Sequence, residues 1–68
     1  MMEKNKVNIN RASRDQLARL DGIGGVMADE IIEYRLQHGG FKEKDELRNL
    51  PDFDSVIVGK IKEYIYIG

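Results

Sequence analysis

The sequence has no cysteine and no tryptophan, one proline and one histidine. Without cysteine, neither a disulfide framework nor a thiolate metal site can staple the fold, and His38 alone, with no second histidine, argues against a metal centre. An excess of charge of either sign is missing as well. Eleven Lys and Arg stand against twelve Asp and Glu, for a formal net charge of -1, which is not the basic balance of a protein that grips nucleic acid through many phosphates. No apolar run approaches the roughly 20 residues of a membrane span, and Met1-Met2-Glu3-Lys4-Asn5-Lys6 lacks the hydrophobic core of a signal peptide. The expectation is a chain that is soluble as given and makes no membrane contact, whether whole or cut from a longer exported or anchored protein. No nucleophile–base constellation and no nucleotide motif is visible. The chain therefore reads as a non-enzyme, with no catalytic residue, metal, cofactor or small-molecule substrate.

With 68 residues the chain makes one small domain, and efficient helix packing has to supply its stability. Residues 1–6 read as a tail and residues 7–67 as the domain. Val7-Asn8-Ile9-Asn10 alternates apolar and polar, which suits a short extended segment. Ser13 with Gln16 fits a capping box, so helix 1 is predicted from about Ser13 to Leu20, with Ala12 stapled onto Leu17. Helix 2 is predicted from about Val26 to Gln37, ending at His38-Gly39-Gly40, with Met27, Ala28, Ile31 and Ile32 on one apolar arc and acidic residues opposite. Arg35 falls within that arc, where a guanidinium holding backbone carbonyls is expected. Phe41 reads as a core plug. Helix 3 is predicted from about Glu43 to Asn49, broken by Pro51, and helix 4 from about Ser55 to Glu63 or a little beyond, with Asp54 or Ser55 as N-cap. The β-formers of Tyr64-Ile65-Tyr66-Ile67 leave room for a final extended segment near Val7 and Ile9.

Between the first two helices lies Leu20-Asp21-Gly22-Ile23-Gly24-Gly25-Val26. Its glycines let another molecule's backbone come close, and it leads into a helix N-terminus whose unpaired N–H groups suit phosphate or carboxylate. A shift of thirty positions superposes Leu17 on Leu47, Leu20 on Leu50, Ile23 on Phe53, Ala28 on Val58, Ile31 on Ile61 and Tyr34 on Tyr64. That is a duplicated helix–loop–helix unit, first copy about 13–37 and second about 43–66, and two such units imply a compact pseudo-symmetric four-helix domain. The loops differ: Gly22-Ile23-Gly24 corresponds to Asp52-Phe53-Asp54. Turn and N-cap chemistry is the expected role of the two aspartates, with cation binding or a protein contact as the alternatives.

The ordered set Val7-Asn8-Ile9-Asn10-Arg11-Ala12-Ser13, Gly22-Ile23-Gly24, Tyr34-Arg35, His38-Gly39-Gly40-Phe41 and Leu47 to Pro51 closely resembles the tandem helix-hairpin-helix domain of the ComEA type. The resemblance implies an all-α, SAM-domain-like fold and sequence-independent binding of double-stranded DNA, with hairpin N–H groups on backbone phosphates, as in competence-type DNA uptake. Carried onto this chain, it names Gly22, Ile23, Gly24, Gly25 and Val26 as the phosphate-binding residues. Gly25-Val26 departs from the proline and lysine common there. Candidate supporting bases are Arg11, Arg14, Arg19, Lys60 and Lys62; residues 1–20 carry five basic and two acidic side chains. Asp29 and Glu30 oppose close approach of a phosphate strand. The resemblance also implies an extracytoplasmic or membrane-anchored setting if the piece comes from a ComEA-type protein, and a cytoplasmic one otherwise. The rival expectation is a protein-interaction or scaffold domain that has lost DNA binding, as the similar domains of an extrinsic photosystem II subunit and a minor pseudopilin suggest.

Overall fold

The computed structural model describes residues 6–68, and in it side-chain caps open every helical element longer than one turn except the second helix. Ser13 accepts from the Gln16 N–H at 3.1 Å while the Gln16 side chain accepts from the Ser13 N–H at 2.9 Å. This capping box opens α1, Arg14–Ala18. The helix is shorter than its predicted end at Leu20, because the chain already tightens there through a bond from the Leu20 N–H to the Leu17 carbonyl. Helix α2 spans Gly25–His38, one residue beyond the expectation at each end. Gly39, at φ 73, takes the left-handed C-cap and donates to the Arg35 carbonyl, a conformation that strongly favours glycine.

The third predicted helix forms as a 3₁₀ helix, Lys44–Asn49. Its N-terminus is closed by Glu46, whose carboxylate accepts from the N–H groups of Lys42 and Glu43, both at 2.9 Å. Helix α3 is Ser55–Ile61, with Asp54 as N-cap. It ends earlier than predicted, passing into a 3₁₀ turn over Lys62–Tyr64. The extended tail then forms: β1, Val7–Asn8, lies parallel to β2, Ile65–Tyr66, in the register Val7 to Ile65. This two-residue clasp ties the chain ends together and leaves the architecture all-α.

The inward side chains of every element share one core. Leu17, Ile31, Leu47, Val58, Ile61, Ile9 and Ile65 are fully buried, and Phe41 is the expected plug. Of the predicted apolar arc of α2, Ala28 and Ile31 are buried while Met27 and Ile32 pack at its margin. Arg35 donates from Nη1 to the carbonyls of Ile9 at 3.1 Å and Ala12 at 2.8 Å, as expected of it. Asn10 forms a second tie: its amide accepts from the Phe41 N–H at 2.6 Å and donates to the Phe41 carbonyl at 3.0 Å. The Cα radius of gyration is 11.0 Å, close to the about 11 Å of a compact chain of this length. The expectation of a tail at residues 1–6 falls, Lys6 apart, outside the described residues.

Candidate functional site

Both loops that precede the long apolar helices are built on the same backbone frame. In the first, Leu20 N–H donates to Leu17, Ile23 to Leu20 and Ala28 to Gly24; in the second, Leu50 donates to Leu47, Phe53 to Leu50 and Val58 to Asp54. Ile23 and Phe53 plug the core beneath their loops. Each loop thus presents a helix N-terminus at the surface.

The two termini differ in what already occupies them. At α2 the N-cap is Gly24, which offers no side-chain acceptor, so the first-turn N–H groups at Gly25, Val26 and Met27 receive no side-chain cap. A Cβ on Gly24 would meet nothing within 4 Å, so the surface above it is open. At α3 the Asp54 carboxylate accepts from the Ile57 N–H at 2.9 Å. An anion from the chain itself already occupies the start of this helix. The backbone diverges too. Gly22 has φ 86, a value that turns the loop sharply, while no non-glycine residue described has positive φ, so Asp52 does not reproduce that turn. The Asp52 N–H makes a long bond of 3.4 Å to Glu30 Oε1.

Arg14 is brought to the first loop. A Cβ on Gly25 would lie 2.5 Å from Arg14 Nη2, which places the guanidinium directly over the first turn of α2. It is held there by Asp29, through Nε to Oδ1 at 2.6 Å and Nη2 to Oδ2 at 3.3 Å. The hydrogen bond to Arg14 draws the Asp29 carboxyl below the usual carboxylate range and raises the guanidinium in turn. Asp29 is therefore a paired acid, and its opposition to an approaching phosphate is weaker than its position in the sequence implies. Glu30 behaves differently: sharing a hydrogen bond with the Asp52 carboxyl pushes it up.

The other predicted bases are dispersed. Arg19 caps the end of α1, three residues before Gly22. Arg11 borders a surface hollow with Arg35, Gly39 and Gly40 at the far end of α2, about 21 Å of helix from Gly24. Lys62 is bound to Asp45 at 2.7 Å, and Lys60 lies in the last turn of α3. Sequence reasoning missed the Arg14–Asp29 clamp and the Glu30–Asp52 contact. Neither pair has a periodic spacing that would signal it. Among the described residues no group of three or more His, Cys, Asp or Glu could hold a metal ion, and no helix is long and apolar enough to cross a membrane.

Compared with known proteins, residues 2–66 match the family of the helix-hairpin-helix motif. The chain is 31% identical over 62 residues to the endonuclease/exonuclease/phosphatase family domain-containing protein 1 of Xenopus laevis, covering 91% of this chain and 11% of that protein. It is 38% identical over 47 residues to protein tex of Bordetella pertussis, covering 69% of this chain and 6% of that one. It is 31% identical over 61 residues to an uncharacterized protein of Haemophilus influenzae, covering 88% of this chain and 54% of that protein. The relatives with enzyme names thus share only a small segment with this chain, and the motif it matches is a binding element rather than a catalytic one.

Proposed function

Because this chain belongs to the helix-hairpin-helix motif family, we propose that it binds the backbone of double-stranded DNA without reading base sequence, through Gly22, Ile23, Gly24, Gly25 and Val26. One observation carries this reading: the N-terminus of α2 is uncapped and open, whereas that of α3 is filled by the Asp54 carboxylate. Backbone N–H groups at an open helix start are donors for a phosphate oxygen. Arg14, resting over Gly25, is paired with Asp29, but its Nη1 is not engaged by that acid and remains a donor beside them. Arg19 adds long-range attraction, as do Arg11, Lys60 and Lys62 from farther off.

The proposed organisation is a tandem one, with residues 13–37 forming the competent unit and residues 43–66 a partner that braces it. Asp52 and Asp54 exclude a second phosphate, so affinity is weak and falls steeply with salt. Names that include endonuclease and exonuclease among the relatives accord with a segment that holds nucleic acid for a larger protein. The finer reading is a ComEA-type role in competence DNA uptake, favoured by the ordered motifs of residues 7–51. The test is titration of labelled random-sequence duplex at low salt, with wild type and Gly24→Asp side by side. Absence of binding by wild type, or equal binding by both, refutes the proposal.

A further inference from the structure

The two exposed valines of this small protein occupy the same place in its two halves. Val26 is 69% exposed on α2 and Val56 is 67% exposed on α3, thirty positions apart. One helical turn further on, the pair is Glu30 and Lys60. The repeat thus offers two faces of the same shape and opposite charge: valine followed by an acid on α2, valine followed by a base on α3.

Each face carries a feature that the isolated fold does not use. Beside Val26 and Glu30 the surface sinks into an open hollow of about 650 Å³ that also touches Glu33, Leu50 and Pro51. Glu30 meets the Asp52 backbone and carboxyl there and has no ion pair among the described residues. On the other face Lys60 has no ion pair among the described residues, in contrast to Lys62, which binds Asp45. Between Val56 and Lys60 stands Gly59, inside a helix where glycine is unfavourable. Its φ is not positive, and a Cβ there would meet nothing within 4 Å. Nothing within the fold requires a glycine at this position, but its bare backbone lets another surface approach α3 closely.

We propose that the Val56–Gly59–Lys60 face of one copy docks into the Val26–Glu30 hollow of a second copy, with Val56 against Leu50 and Pro51 and Lys60 beside Glu30 and Asp52. Charge complementarity selects this occupant. The contact joins two different patches, so it either closes reciprocally into a dimer or propagates head to tail. It shares Val26 and Lys60 with the proposed DNA contact, and because it is tested without nucleic acid the two readings can fail separately.

The experiment is sedimentation velocity over a concentration series up to about 1 mM, the range in which a contact this small registers. Wild type shows concentration-dependent association. Glu30→Lys and Lys60→Glu each remain monomeric, because each sets like charges against one another, and an equimolar mixture of the two variants associates again. Gly59→Ala raises the melting temperature and weakens association, a combination that a purely structural glycine does not produce. The proposal is overturned if wild type stays monomeric throughout, if the mixture fails to recover association, or if association appears only with an added basic peptide, which would assign the hollow to a different protein. Circular dichroism of each variant confirms that the monomer is folded.

Discussion

Replacing Gly24 by Asp converts the open start of α2 into a copy of the filled start of α3, and it should move stability and binding in opposite directions. Gly24 has φ -108 and ψ -166, an extended conformation that aspartate adopts without strain, and the space for a Cβ is empty. The new carboxylate can accept from the Met27 N–H as Asp54 does from Ile57. An Asp N-cap exceeds a Gly N-cap by only a few tenths of a kcal/mol. Unfolding entropy for 68 residues is about 0.14 kcal/mol per kelvin, so the melting temperature should rise by about 2 °C. On the proposed DNA contact, the same carboxylate takes the place of the phosphate. Two like charges about 4 Å apart repel by roughly 1 kcal/mol in water and about 4 kcal/mol near a protein surface, and the N–H donors are lost as well. Binding of random duplex, followed by fluorescence anisotropy, should weaken at least about tenfold, and the slope of log K against log salt should become shallower by about 0.9 for one phosphate lost. Gly24→Asn, which caps without charge, should fall between the two. A Gly24→Asp protein that binds with wild-type affinity and slope refutes the reasoning, because the open helix start would then not be the contact.

The reverse change, Asp52→Gly with Asp54→Gly, removes two negative charges and frees the N-terminus of α3; affinity for duplex should rise and the salt slope steepen by about 0.9, at a stability cost of a few tenths of a kcal/mol for the exchanged cap. Failure to gain affinity would mean that the second hairpin cannot reach the duplex. Arg35→Met removes two charged hydrogen bonds to carbonyls in a half-buried setting; discounted for partial exposure, the loss is about 2 kcal/mol, or roughly 10–15 °C in a thermal melt, while duplex binding below that temperature is unchanged. Acid unfolding should depend on Glu46, whose carboxyl lies below the usual range because the Lys42 N–H, and then the Tyr34 hydroxyl, bond to its charged form. A depressed acid stabilises the fold above its unfolded pKa and loses that contribution as pH falls through the lower folded value. Glu46→Gln should therefore flatten the decline in urea stability below about pH 4.5. Glu30 has the opposite sign: its raised pKa penalises the fold at neutral pH and relaxes on acidification. Glu30→Gln should thus stabilise the protein at pH 7, and a destabilised variant would contradict that sign.

Local chemistry was legible where residues a few positions apart act on one another. The Ser13–Gln16 capping box, the Gly39 stop and the Asp54 cap involve partners within four residues, and the role of Arg35 followed from a lone cation on an apolar arc. Helix ends were less legible. The arc of α3 continues in the sequence to Glu63, but the chain winds into 3₁₀ geometry at Lys62, because the tail must reach β1. The 3₁₀ form of Lys44–Asn49 was likewise hidden, since a six-residue segment of either helix presents the same buried Leu47.

The sequence by itself determined that this is a small, cysteine-free, duplicated helical unit with one glycine-rich hairpin and one acidic counterpart, because period, caps and glycine act through neighbouring positions. Only the tertiary structure decided how their charges are spent. It set Arg14 over Gly25 and locked it to Asp29, turned Glu30 onto the Asp52 loop, tied Lys62 to Asp45 and left Lys60 facing solvent. The hydrogen-bonded and ion-paired partners are 15 to 22 residues apart, and the packing of α1 on α2, and of each unit on the other, brings them within reach. No spacing along the chain encodes that geometry.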